Sequence, residues 1–267
     1  SKERVRSAAK NSGIGLTQHR LTINLTPATL PKKGSGFDVA MVIAALQAEK
    51  KLKPSGDCVF LGEVGLDGSI RPIPGILPAV KAAADAGHSR VVVPAQNMHE
   101  AALIPGIQVS GFRCLAEIFV ALGASAENLK YPPESVREQP TAEIPEHGIP
   151  SDMSDVAGQA QGRFALEIAA AGGHHLLFTG PPGSGKTMLA ERLPSILPPL
   201  DDDAAMEVTA IRSLTAGGTP LRELVRTPPF EAPHHSASAP AILGGGSGIP
   251  RPGCVSKAHR GVLFLDE

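Results

Sequence analysis

Eight consecutive residues, Gly180-Pro181-Pro182-Gly183-Ser184-Gly185-Lys186-Thr187, have the types and spacing needed to hold a chain of phosphates. The glycines let backbone N–H groups turn inward around phosphate oxygens. Lys186 can reach the β- and γ-phosphates, and the Thr187 hydroxyl can hold Mg2+. Further along, Gly261-Val262-Leu263-Phe264-Leu265-Asp266-Glu267 reads as an apolar strand ending in two carboxylates. Asp266 suits Mg2+ coordination and Glu267 suits polarising an attacking water, the division of labour of a Walker B element. Gly-rich turns and acidic strand ends are each common on their own. Together and in this order they predict a site for a nucleoside triphosphate with Mg2+.

Such a site depends on the elements that carry it. His175-Leu176-Leu177-Phe178 predicts a strand leading into the loop, and residues 188–193 predict a helix leaving it, whose positive end adds to the attraction for phosphate. Ahead of them, residues 164–171 read as a helix. After them, Asp201-Asp202-Asp203 predicts the start of a helix running to about residue 214, because acids in a first turn complement the helix dipole. Residues 217–260 are rich in Gly, Pro, Ser and His and predict an irregular, functional insert.

Residues 1–125 alternate strand and helix signals. The expected strands are residues 21–25, 59–64, 70–73 and 90–94, with Asp67-Gly68 favouring a tight hairpin turn. The expected helices are residues 37–48, 79–86 (ended by Gly87) and 115–122. Residues 126–150 carry five prolines and no periodicity, so they predict a linker. The expected organisation is therefore an α/β domain over 1–125, a Pro-rich linker over 126–150 and a second α/β domain over 151–267.

Composition narrows the classes. Lys+Arg 25 against Asp+Glu 26 gives no global basic field to recruit nucleic acid, although a local basic patch is compatible with that balance. Phe 8, Tyr 1 and Trp 0 argue against a base-stacking platform. Cys58, Cys114 and Cys254 are far apart and fit reduced thiols in a cytoplasmic protein. The chain has neither an apolar run long enough to span a membrane nor a charged-then-apolar leader. It opens on Ser1-Lys2-Glu3 without Met and stops at Glu267, which reads as an internal piece of a longer protein. On that reading the sensor residues, an arginine finger and a helical lid lie beyond it, and the piece should bind nucleotide but hydrolyse it poorly.

The second region resembles the magnesium-chelatase-like AAA+ ATPases, in particular the bacterial ComM/YifB group. The residues that carry the resemblance are Asp155-Val156-Ala157-Gly158-Gln159, Glu167 to His174, the phosphate loop, Leu197-Pro198-Pro199-Leu200, Pro229 to His235, Gly244 to Ser247, Pro250-Arg251-Pro252-Gly253 and the closing Asp266-Glu267 strand. The resemblance implies a P-loop AAA+ αβα core with ATP hydrolysis, self-association into a ring (a hexamer) and action on DNA, such as branch migration during natural transformation. It also implies a Lon-protease-like domain ahead of the ATPase. Pro31 to Gly36, Gly62-Glu63-Val64-Gly65, Arg71 to Gly75 and Val91 to Pro94 resemble Lon in shape. Active Lon enzymes use a Ser–Lys dyad. Here Gly36 stands where the Ser belongs, with Ser35 one place early, and Leu77 stands where the Lys belongs, so the domain is expected to be non-proteolytic. The alternatives are a metal-chelatase motor subunit and an ATP-dependent protease.

His234-His235 suggests a metal, but adjacent residues on a strand face opposite ways and no further ligand stands at the usual spacing. Arg251, Lys257, His259 and Arg260 are the candidates to touch a phosphate backbone, each with the plainer alternative of packing on the core.

Overall fold

A computed structural model describes residues 2–16, 22–25, 34–133, 152–215, 221–246 and 250–266. The chain divides into two compact units: Ser1–Ala142 with Ser213–Glu223, and Glu143–Arg212 with Leu224–Glu267.

The first unit is built on α1 (Lys2–Asn11), α2 (Asp38–Ala48), β1 (Val59–Phe60), β2 (Glu63–Val64), β3 (Ile70–Arg71), α3 (Ile76–Asp85), β4 (Arg90–Pro94), α4 (Met98–Ala101), β5 (Gln108–Phe112) and α5 (Leu115–Ala121). A parallel sheet runs β1-β4-β5, in register Val59↔Val91 and Val91↔Val109. The centre of β4 is apolar at every position and buried, as a parallel strand covered on both faces requires. α1, α2 and α5 enclose the core around Val5, Val42, Ile43, Leu46, Ile118 and Phe119.

β2 and β3 form the expected antiparallel hairpin, with Gly68 at φ 83 in its turn. The single strand expected over 59–64 is two strands in different sheets. The break falls at Gly62 (φ 149), where a Cβ would stand 3.0 Å from Ile70 and Val39 side-chain atoms. α3 starts earlier than expected because Gly75 takes a left-handed conformation (φ 74) as its N-cap. Of the strand expected over 21–25, Leu21 lies outside the described residues and 22–25 form no regular element. β5 and α4 were not expected.

The second unit carries α6 (Ala160–Gly172), α7 (Lys186–Arg192), α8 (Asp202–Thr215, up to Arg212), β6 (Phe230–Glu231), α9 (Ala239–Leu243), β7 (Gly244–Gly245), β8 (Arg251–Pro252), α10 (Cys254–Lys257) and β9 (Val262–Leu263). Asp201 starts α8 by accepting the Ala204 N–H at 2.8 Å. β9 pairs with β6 in parallel, Phe230↔Val262, and the rings of Phe230 and Phe264 stack at 6.2 Å. β7 and β8 form a small antiparallel pair inside the insert, which is therefore partly ordered. Met153, Val156, Leu166 and Leu189 make the core beneath the phosphate loop.

The strand expected at 175–178 does not form a regular element, and Leu177 is 84% exposed. An apolar run becomes a strand only when a neighbour accepts and donates its backbone hydrogen bonds. No such ladder forms for 175–178 among the described residues. No helix among the described residues is long and apolar enough to cross a membrane.

Candidate nucleotide-binding site

The phosphate loop begins at Gly180 and enters α7 at Lys186. Two left-handed glycines, Gly183 (φ 76) and Gly185 (φ 84), make that turn, and Gly185 is the N-cap of α7. At Gly183 a Cβ would meet nothing within 4 Å, so backbone conformation and not space calls for glycine there. The loop lines a cavity of about 390 Å3 together with Asp266: its walls are Pro182, Gly183, Ser184, Gly185, Lys186, Thr187 and Met188.

Lys186 Nζ donates to the carbonyls of Gly180 (3.0 Å) and Pro181 (3.1 Å). Both partners are neutral, so the ammonium keeps its charge available for an anion at the loop. The Thr187 hydroxyl donates to Asp266 Oδ2 at 3.3 Å, across the whole stretch of chain between α7 and the end of β9. A hydroxyl and a carboxylate side by side are hard oxygen donors that fit Mg2+, which takes few protein ligands and completes its shell with water and phosphate. Lys186, Thr187 and Asp266 thus line one cavity. Glu267 lies outside the described residues.

Sequence reasoning missed Gln159. Its amide Nε2 donates to the Ser184 carbonyl in the phosphate loop at 3.0 Å. The only signal available was its place in the Asp155–Gln159 stretch just ahead of α6.

The other candidates sit elsewhere. The rings of His234 and His235 lie with centroids 4.0 Å apart and planes tilted by 36°, and His234 Nδ1 bonds the Ser236 hydroxyl at 2.7 Å. Among the described residues no three His, Cys, Asp or Glu side chains gather as a metal centre. Arg251 is exposed on β8 and Lys257 is half-buried on α10. Arg260 Nε and His259 Nε2 each lie 2.9 Å from Glu207 Oε2. Arg260, then His259, hold the Glu207 carboxyl down to about 2. Arg260 is therefore paired with Glu207 at the surface.

In the first unit, Ser35 donates to the Glu63 carboxylate. Leu77 is 0% exposed inside the core and offers no group that could accept a proton.

Residues 152–267 match the family described as "Magnesium chelatase, subunit ChlI", and residues 1–97 match "Subunit ChlI of Mg-chelatase". An uncharacterized protein of Mycobacterium tuberculosis is 50% identical over 279 residues, covering 100% of this chain and 52% of the relative. The uncharacterized protein YifB of Escherichia coli is 43% identical over 270 residues (100% and 51%). The competence protein ComM of Haemophilus influenzae is 39% identical over 269 residues (100% and 52%). The chain thus spans about half the length of these relatives. Similarity to Lon is partial: Lon protease 2 of Bacillus subtilis is 28% identical over 120 residues, 44% of this chain. With its full length matched by YifB and ComM and its phosphate loop facing Asp266, this chain belongs to the magnesium-chelatase-like AAA+ family of ComM and YifB.

Proposed function

We propose that residues 152–267 bind Mg–ATP at the 180–187 loop and that, in the whole protein, hydrolysis there drives a ring, a hexamer, acting on DNA in the cytoplasm. One observation carries this reading: the Thr187–Asp266 contact at 3.3 Å beside the loop cavity. Lys186 would exchange its carbonyl partners for phosphate oxygens, and the N–H groups of the turn would hold the rest of the anion. Mg2+ on Thr187 and Asp266 would neutralise charge developing on the phosphates. Glu267, next to Asp266 in sequence, would orient the water. The DNA part leans on the name of the Haemophilus relative, a competence protein. A metal-chelatase motor is the second reading, favoured by the description of the matched family. ATPase assays on the full-length protein with and without branched DNA separate the two. Stimulation by the junction supports the DNA motor, and indifference to it removes that part.

A near-neutral chain with few aromatics neutralises few phosphates at once, so DNA affinity would come from several copies of the insert around one channel. Replacing Arg251 and Lys257 by Ala in the full-length ring should weaken DNA binding and reduce the salt slope by about one per charge removed, with ATP binding intact. Arg260→Ala should do less, because Glu207 already offsets that cation. Unchanged affinity and slope in the double variant would take the DNA contact away from the insert.

The first region is proposed to be a Lon-like fold without peptidase activity, since Leu77 fills the position of the proton acceptor. The expected result is no cleavage of casein by the full-length protein. Digestion that disappears in Ser35→Ala would overturn this.

A further inference from the structure

Gln159 stands at the start of α6 with φ 54 and ψ 35, a left-handed conformation that a residue with a Cβ rarely adopts. Its neighbours hold it there. Arg163 N–H donates to the Gln159 carbonyl at 2.9 Å, and Arg163 Nη1 reaches the Val156 carbonyl at 3.3 Å. Buried Met153 and Val156 pack on Leu166 and Leu189, and the Met153 N–H donates to Ser195 Oγ at 3.0 Å. α6 also lies tight against α7, since a Cβ on Gly162 would stand 2.7 Å from Leu189 Cδ1. A constrained backbone position thus aims one amide at the phosphate loop.

The target is a single carbonyl, that of Ser184. In a trans peptide the C=O and the following N–H point in opposite directions. A Ser184 carbonyl turned out toward Gln159 leaves the Gly185 N–H turned the other way, on a loop whose residues 182–188 line the cavity. Gly185 lacks a Cβ and sits at φ 84, so nothing in its own side chain prevents this peptide from flipping. A flipped peptide would present a carbonyl oxygen to a phosphate. We propose that Gln159 is a positioning residue for nucleotide binding: its amide locks the Ser184–Gly185 peptide with the donor inward.

This inference rests on the nucleotide-binding reading, and the test keeps the two apart. Mg–ATP is titrated by calorimetry into the 267-residue chain and into Gln159→Gly, Gln159→Glu and Lys186→Ala, with Tm measured for each. Glycine relieves the backbone constraint while deleting the amide. Gln159→Gly should therefore bind ATP about three- to tenfold more weakly, with Tm equal to or above wild type. Gln159→Glu keeps the shape but offers an acceptor to a carbonyl, and should bind more weakly still. ATP affinity in Gln159→Gly equal to wild type overturns the inference, as does a loss of affinity that merely follows a fall in Tm. Absence of binding in wild type, or full binding in Lys186→Ala, overturns the nucleotide reading at this loop and the inference with it.

Discussion

Lys186→Ala should reduce ATP affinity at least ~100-fold without lowering the melting temperature. The two halves of that expectation have separate causes. A hydrogen bond to a charged group contributes about 1.5–3 kcal/mol, and one ammonium bridging two phosphate oxygens gathers two of them. Among the described residues Lys186 Nζ hydrogen-bonds only the carbonyls of Gly180 and Pro181, in an exposed setting that water can take over when the side chain is removed. Binding of a fluorescent ATP analogue, measured beside a thermal melt, checks both halves. Near-wild-type affinity would remove the phosphates from this loop. A lower melting temperature would mean that the lysine holds the loop together and does not merely wait for an anion.

Gly261→Ala should destabilise the second unit by about 2–3 kcal/mol, the range for forcing an atom into a packed site. A Cβ at Gly261 would stand 2.1 Å from the Pro229 carbonyl oxygen, with the ring Cδ and backbone N of Pro229 at 2.6 and 2.7 Å. Most of these are backbone atoms, so no side-chain rotation relieves the clash. The same Pro229 carbonyl accepts the Val262 N–H at 2.8 Å, the bond that seats β9 beside β6. Pushing the two apart would shift Asp266 away from Thr187, and weaker Mg–ATP binding should accompany the loss of stability. Gly87→Ala provides the contrast. Its φ is 88 but a Cβ would meet nothing within 4 Å, so only backbone strain opposes it, about 1–2 kcal/mol. Denaturant melts of the two variants would rank them. A Gly261→Ala protein as stable as wild type would contradict the tight approach of Gly261 to Pro229.

Features written in local sequence were legible before any coordinates. The loop spacing from Gly180 to Thr187, the Asp67-Gly68 turn and the unbroken Val91-Val92-Val93 run each specify their own geometry, and all three appear as expected. Features that need a distant partner were not legible. Gln108-Val109-Ser110-Gly111-Phe112 has a weak strand pattern and becomes β5 because β4 offers a ladder, Val93↔Gly111 among its pairs. The reverse holds at 175–178, where the apolar pattern is strong but no described residue completes a ladder. Arg260 read as a candidate for a phosphate backbone or for packing on the core, and nothing in its local sequence announces Glu207 on α8. Gln159 escaped for the same reason: its role is set by a carbonyl in the phosphate loop, 25 residues away in sequence.

On the proposed function, Thr187 and Asp266 hold Mg2+ for a nucleotide seated on the 180–187 loop. Calorimetric titration of ATP into wild type and into Asp266→Asn, each with Mg2+ and with the metal removed by a chelator, tests it most directly. Wild type should bind one ATP per chain, about tenfold or more tightly with Mg2+ than without, because a hydroxyl and a carboxylate share the ion with the phosphates. Asp266→Asn should keep the metal-free affinity and lose most of the gain. Wild-type binding indifferent to Mg2+, or an Asp266→Asn chain with the full Mg2+ gain, would contradict the account.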